Sequence, residues 1–391
     1  MKHRLGLVAW LVCTAASASA EKAARILHVA IDGKTGAAGT TREPLVSLAD
    51  AAAKAAPGDV IRLGPGIYRE SQTIRLQAKG TEANPIRVEA AGPERPVLDF
   101  AAQAEGRKNA GVELSGDWWH IVGVEVAHAG GYGIRVTGAH NVLDHCVVRE
   151  SRLTGLQIDG GGSFTLVTGC DSFRNFDPQT QGEDADGFAV KHGAGPGNIF
   201  RHCRAYQNAD DGWDLWMARH PVVIEDSVAF RNGYNVFGAE RFQGDGNGFK
   251  LGGNYVDVAH VVRRNVAIEN PLSGFEQNHN LGPLTLEDNV AIRCGRGFSL
   301  PEKARGGRIV LRNNTSFGSQ NVLEPSLLSE RNQWVPDIVA GALGPPPRPG
   351  HREVPGAGPV PTDQVPPIYT PAPSVLGPVP EPLKEQAPQS R

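Results

Sequence analysis

The sequence predicts an all-β solenoid, a parallel β-helix, and three observations predict it. First, a glycine followed by a large or branched apolar residue recurs at Gly133-Ile134, Gly155-Leu156, Gly187-Phe188, Gly212-Trp213, Gly248-Phe249, Gly274-Phe275 and Gly297-Phe298. Second, a further short apolar run carries a small polar or cysteine marker, at Cys146, Cys170, Cys203, Ser227, Asn265, Asn289 and Asn314. Five residues beyond each marker stands Ser151, Asn175, Asn208, Asn232, Asn270, Cys294 or Ser319. Third, the markers are spaced by 24, 33, 24, 38, 24 and 25 residues, one period with two insertions. A repeat in this range means stacked units. Helical repeats need segments of about ten or more residues at a period of about 3.6, whereas these runs are four to six residues long. They are rich in Val, Ile and Phe and punctuated by Gly and Asn, which favours short strands and tight turns. Interior Asn at a bend can satisfy backbone groups of successive coils, so the marker needs no catalytic role.

Taken in order, the first twenty residues read as an export signal. Lys2, His3 and Arg4 form a charged start, Leu5 to Ala16 is an apolar core too short to span a membrane, and Ala18-Ser19-Ala20 is a small-residue cleavage site. The mature chain is expected to begin near Glu21 and to be secreted or periplasmic. PLVSLADAAAKAAPGDVIRLGPGIYRES then reads as an amphipathic helix, a turn and a strand, the helix capping the open end of the stack. IRVEAAG, WWHIVGVEV and NVLDHCVV continue the strands, and the repeats follow. Solenoids lengthen without subdividing, so residues 21–335 are expected to form one β-helix domain. From Pro336 to residue 391 the chain turns Pro-rich, in GPPPRPG, GPVPTDQVPP and TPAPSVLGPVPEP, and reads as an extended, disordered tail with little to bury.

Composition fits this reading and excludes others. The 48 Gly and an aromatic content of only 6% suit a chain made largely of turns and short strands. A net charge of -3 suggests neither a nucleic-acid partner nor a basic groove, so an acidic polymer would be held by local Lys, Arg and metal. No segment beyond the leader is apolar enough to span a membrane, and a monomer is expected. Four cysteines follow the leader, and three of them occupy the marker position, which predicts an inward stack of small side chains. A bridge such as Cys146 to Cys170 stays within reach in an oxidising compartment. Paired CxxC or HxxxH spacing is lacking, which excludes a zinc site of that kind.

Strand alternation places the chemistry. With the bulky residue after each glycine inward, the next faces outward, giving Ala189, Asp214, Lys250, Glu276 and Ser299 on successive coils. Asp186 and Asp211 stand immediately before their glycines, with Asp210 beside the latter. Four carboxylates thus gather where Lys250 stands. The 36 residues from Gly212 to Gly248 either loop out or hide an extra coil. An extra coil would move Lys250 away by about 4.8 Å. Clustered carboxylates repel unless a cation sits among them, and all-oxygen coordination suits calcium better than zinc. A cation on a uronate carboxylate acidifies the adjacent C5 proton, a neutral amine can remove it, and the C4 oxygen leaves. Lys250 is the candidate base. Its ordinary pKa of about 10.4 must fall for that role, a fall that calcium favours and the aspartates oppose, or the enzyme must work at alkaline pH. Lys191, outward on the Asp186 strand, reads as a surface charge.

The run DADGFAVKHGAGPGNIFRHCRAYQNADDGWDLW, with VIEDSVAFRNGYN and GDGNGFKLGG after it, resembles the polysaccharide lyase family 9 pectate lyases. The resemblance is densest over about 180–280, and the repeat extends it to most of the mature chain. It implies a right-handed parallel β-helix and a pectate lyase acting on polygalacturonate or a related uronic-acid polymer. It further implies that Asp186, Asp210, Asp211 and Asp214 bind Ca2+ and that Lys250 is the Brønsted base. Two rivals stand beside it. A polygalacturonase-like hydrolase would use the aspartates as acid and base without metal, but its Gly-His-Gly element is missing near them. A non-catalytic polysaccharide-binding β-helix would need neither the aspartate set nor Lys250.

Overall fold

Short branched runs broken by Gly and Asn have too few residues for helix and pair instead with their equivalents one coil along. A computed structural model describes residues 24–335. Strands of two to five residues pair in parallel into three long sheets. One sheet has twelve strands, from Ile26–Val29 to Leu328–Glu330; a second has eleven, from Ile67–Arg69 to Gln333–Val335. The third, with ten strands from Ile74–Leu76 to Gln320–Leu323, carries the candidate site. One coil contributes a strand to each, as Phe188–Val190, Ile199–Arg201 and Arg204–Tyr206 do. The expected parallel β-helix is thus observed. The export signal at 1–20 and the Pro-rich segment at 336–391 lie outside the described residues. Among the described residues, no helix is long and apolar enough to cross a membrane.

The helix α1 spans Leu48–Ala52, with the Ser47 hydroxyl accepting from the Asp50 amide at 3.1 Å. It is shorter than the Ala-rich run because Pro57 and Gly58, at φ 84°, force a turn before the next strand. α1 packs against the strand Ile74–Leu76 that ends the ten-stranded sheet, and against Ile26–Val29 and Val60–Leu63. Leu48, Ala51 and Ala52 enter the common core there, the position a cap requires.

Three columns of side chains hold the coils together. The bulky residues after the glycines point inward as expected, and Phe188, Trp213, Phe249, Phe275 and Phe298 stack with centroids 4.9, 4.8, 4.9 and 4.8 Å apart. Glycine precedes them because a Cβ at Gly212 would lie 2.5 Å from the Gly248 carbonyl oxygen. Beside them runs a ladder in which each amide donates to the next: Asn175 to Asn208 at 2.8 Å, Asn208 to Asn232 at 3.0 Å and Asn232 to Asn270 at 3.1 Å. The later markers form a second ladder, Asn265, Asn289, Asn314 and Asn332, at 3.1, 3.0 and 3.0 Å. In the earlier coils the same column holds Cys146, Cys170 and Cys203. These three and Cys294 are free and buried, and the Cys146 amide donates to the Cys170 sulfur at 3.3 Å.

The residue before each ladder position is left-handed even where it is not glycine. His145, Glu150, Arg174, His202, Gln207, Asp226, Arg231, Arg264, Glu269, Asp288, Arg293 and Asn313 all lie between φ +48° and +57°. Such residues cost roughly 1–2 kcal/mol each, and the ladder that the corners aim offsets it. Replacing Asn208 with Leu leaves the Ser172 carbonyl, the Asn175 amide and the Asn232 side chain short of a partner. We expect a loss of about 3 kcal/mol or more, since each buried unsatisfied group costs about 1–3 kcal/mol. Denaturant unfolding of the purified variant measures it, and a change within error would deny the ladder its structural role.

Candidate catalytic and metal site

Register now decides which residues meet. Asp214 pairs with Ala189 on one side and Lys250 on the other, and Lys250 pairs with Glu276, so the outward row forms as expected. Because the strands Trp213–Asp214 and Asn247–Lys250 are direct neighbours, the insertion before Gly248 loops out and hides no coil.

Asp186, Asp210, Asp211 and Asp214 all gather at this strand opening, each at most 2% exposed. Backbone and small polar groups orient them. Thr154 donates to Asp186 at 3.0 Å, the Asn247 amide to Asp211 at 2.7 Å, the Asp245 amide to Asp210 at 2.8 Å and the Trp216 amide to Asp214 at 2.8 Å. The Lys250 amine lies 3.0 Å from Asp245, 3.2 Å from Asp211 and 3.8 Å from Asp214.

Sequence reading missed three contributors. Lys191 is no surface charge: it is buried and bridges Asp186 at 2.9 Å and Asp214 at 2.6 Å. Alternation from Phe188 already put it on the outer face, but only packing shows that its stem crosses to the next coil. Asp245 comes from the returning end of the insertion, GDGNGFK, where repeat logic is silent because it has no equivalent in other coils, whereas Asn247 stands before Gly248 as Asp186 and Asp211 stand before their glycines and was passed over because it is not a carboxylate.

Burial and neighbouring charge compete in the electrostatics. Burial pushes Asp186 and Asp210 upward, and Asp211 up to about 8, because each carboxylate loses water and faces others. Burial also raises Asp214, but Lys191 and Lys250 more than offset this and hold it below its ordinary value. Burial favours neutral Lys250, yet Asp211, Asp214, Asp210 and Asp245 outweigh it and keep the ammonium protonated. The same balance, with Asp186 and Asp214 as partners, holds Lys191 charged.

The donor set fits a hard cation. Asp186, Asp211 and Asp214 each offer an oxygen within 4.8 Å of one another, as do Asp210, Asp211 and Asp245. Asp211 is common to both, and its Oδ2 is buried without a hydrogen-bond partner, Lys250 being an ion-pair neighbour only. Five carboxylates, four of them buried, that share Asp211 between two trios and have two lysine amines among them form an all-oxygen donor set that a hard cation suits.

Residues 27–315 match the family model described as "Pel9A-like, right handed beta helix region". The chain is 38% identical over 340 residues to pectate lyase L of Dickeya chrysanthemi, covering 84% of this chain and 80% of that protein. It is 39% identical over 281 residues to pectate lyase L of Paenibacillus polymyxa, covering 67% and 61%. The crystal structure of pectate lyase Pel9A superposes with a TM-score of 0.74 at 38% identity, covering 79% of each chain. The chain therefore belongs to the Pel9A-like right-handed β-helix family, the pectate lyases of polysaccharide lyase family 9.

Proposed function

We propose that this protein is a calcium-dependent pectate lyase that cleaves de-esterified polygalacturonate by β-elimination, with Lys250 as the base. One observation carries the reading: a lysine amine stands 3.0–3.8 Å from three carboxylates, in a cluster that also holds Asp186 and Asp210, on the outer face of a β-helix of this family. Asp186, Asp210, Asp211 and Asp214 would hold the Ca2+. When bound, Ca2+ supplies the positive charge that makes the proton α to a uronate carboxylate more acidic.

The chain's own residues do the rest. Lys250, in the outward row between Asp214 and Glu276, faces a sugar laid across the sheet. Its neutral amine takes the proton from C5, the C–H electrons form the C4=C5 double bond, and the C4–oxygen bond breaks toward the departing chain. Each carboxylate engaged with a cation stabilises the Lys250 ammonium less, which is how the amine becomes available as base. Lys191 stays charged between Asp186 and Asp214 and fixes both carboxylates. The reading extends to an exported monomer from which residues 1–20 have been removed, with residues 336–391 outside the catalytic domain.

Ultraviolet absorbance during incubation with polygalacturonate tests this. We expect a rise from the unsaturated product with calcium and its loss with chelator. New reducing ends without absorbance would replace elimination with hydrolysis, and neither signal would remove pectate as the substrate.

A further inference from the structure

A cavity of about 610 Å³ opens on the same edge of the helix as the aspartate cluster, on the turns from the coil of Asp186 back through the three before it, with Val236 and Phe237 folded in from the later insertion. Its size falls within the range of about 300–1,000 Å³ usual for small-ligand sites. Donors and acceptors alternate around it. His128 lies between Asp99 at 2.8 Å and Glu150 at 3.0 Å, Arg174 faces Glu150 at 3.6 Å, and Arg152 pairs with Glu105 at 2.9 Å. On the opposite flank Phe176 and Phe237 stack at 4.7 Å, both half-buried. A polyhydroxylated ring has this same character, with a polar rim and an apolar C–H face.

The cavity is tied to the site by two connections. Arg152 is two residues from Thr154, whose hydroxyl donates to Asp186. The insertion that supplies Phe237 continues to Gln243, whose amide donates to the Gln181 carbonyl at 3.0 Å, and to Asp245, which meets Asp210 and Lys250. One loop thus walls the cavity and contacts the base. The lining from Ala101 to Phe176 runs from three coils before Asp186 to the coil of Asp186 itself, a reach of up to about 15 Å along the stack, a span that a few linked sugars cover.

We propose that this cavity is an outlying subsite for a galacturonate residue of the polymer held at the Lys250 cluster. The sugar's carboxylate and hydroxyls meet Arg152, Arg174 and Glu150, and its C–H face meets Phe176 and Phe237. Arg152 and Glu105 are 48% and 45% exposed, so their pairing is weak and a uronate can replace Glu105 at little cost. The proposal rests on the lyase reading for the identity of the polymer.

Calorimetric binding of trigalacturonate and hexagalacturonate to the Lys250→Ala protein in calcium tests the subsite without turnover. Ala101→Trp, which fills the cavity, and Phe237→Ala, which removes its aromatic wall, are each added to that background, with thermal unfolding as the check on folding. We expect the longer oligomer to bind more tightly than the shorter, and each added change to erase about tenfold of that advantage. An unaltered affinity ratio in both folded variants, or no advantage of length in the background protein, overturns the subsite. Failure of the unmodified protein to eliminate any oligomer would instead remove the lyase reading, and the affinity ratio would still judge the cavity.

Discussion

Lys250→Ala is expected to lose about 10²–10⁴-fold in kcat on polygalacturonate, the usual contribution of a positioned general base. The side chain is on the outer face and contributes nothing to the aromatic stack or to either asparagine ladder, so circular dichroism and the folded baseline should be retained. Its removal does take a cation from among Asp211, Asp214 and Asp245. Lys250→Arg separates the two roles. A guanidinium keeps the ion pairs but stays protonated at any working pH and cannot accept the C5 proton. Both variants should therefore be inactive, with Arg retaining more of the metal-free stability. Substantial turnover by Lys250→Arg would mean that the position supplies charge, and the base would have to be sought elsewhere.

Asp211→Asn carries the second large effect because Asp211 belongs to both carboxylate trios. Calcium affinity should fall by at least the roughly 10–100-fold that loss of even an outer partner costs at metal sites, with activity recovering partly at high calcium. Calorimetric titration measures this, and an unchanged affinity would take Asp211 out of the cation site. The same substitution tests the electrostatics. Burial lifts the Asp211 carboxyl from 3.8 to about 8, so the metal-free folded protein keeps a proton that the unfolded chain releases above about pH 4. The stability linked to that proton is fully present below the unfolded pKa and is lost as pH rises through the folded one. Between about pH 4 and about pH 8 the metal-free wild type should therefore lose stability relative to Asp211→Asn. Lys191 and Lys250, both raised, contribute no opposing slope in that window, because each is protonated there in the folded and the unfolded chain alike. Excess calcium should abolish the wild-type decline.

Some of this is legible in the sequence alone. The glycine-plus-bulky motif located the inward column from Phe188 to Phe298, and counting outward from it put Asp214 beside Lys250. The polar markers foretold the Asn265–Asn314 ladder, and the residues five further on foretold Asn175–Asn270. Repetition made these positions readable, because a side chain that recurs at one place in every coil must meet its own copies. The left-handed corners were not legible. His145, Arg174 and Gln207 carry no glycine-like signal, and their conformation is imposed by the strands on both sides.

The sequence by itself determined the β-helix, its period, its inward columns and the outward row to which Asp214 and Lys250 belong, since each follows from local alternation repeated along the chain. Only the tertiary structure decided that the insertion before Gly248 loops out and brings Asp245 to Lys250. It also decided that Lys191 is buried across two coils, and that Phe237 closes a cavity over Phe176. The physical reason is that non-repeating segments have no register to inherit. Where they land depends on long-range packing and on the low-dielectric surroundings that packing creates, and neither is written in the spacing of residues.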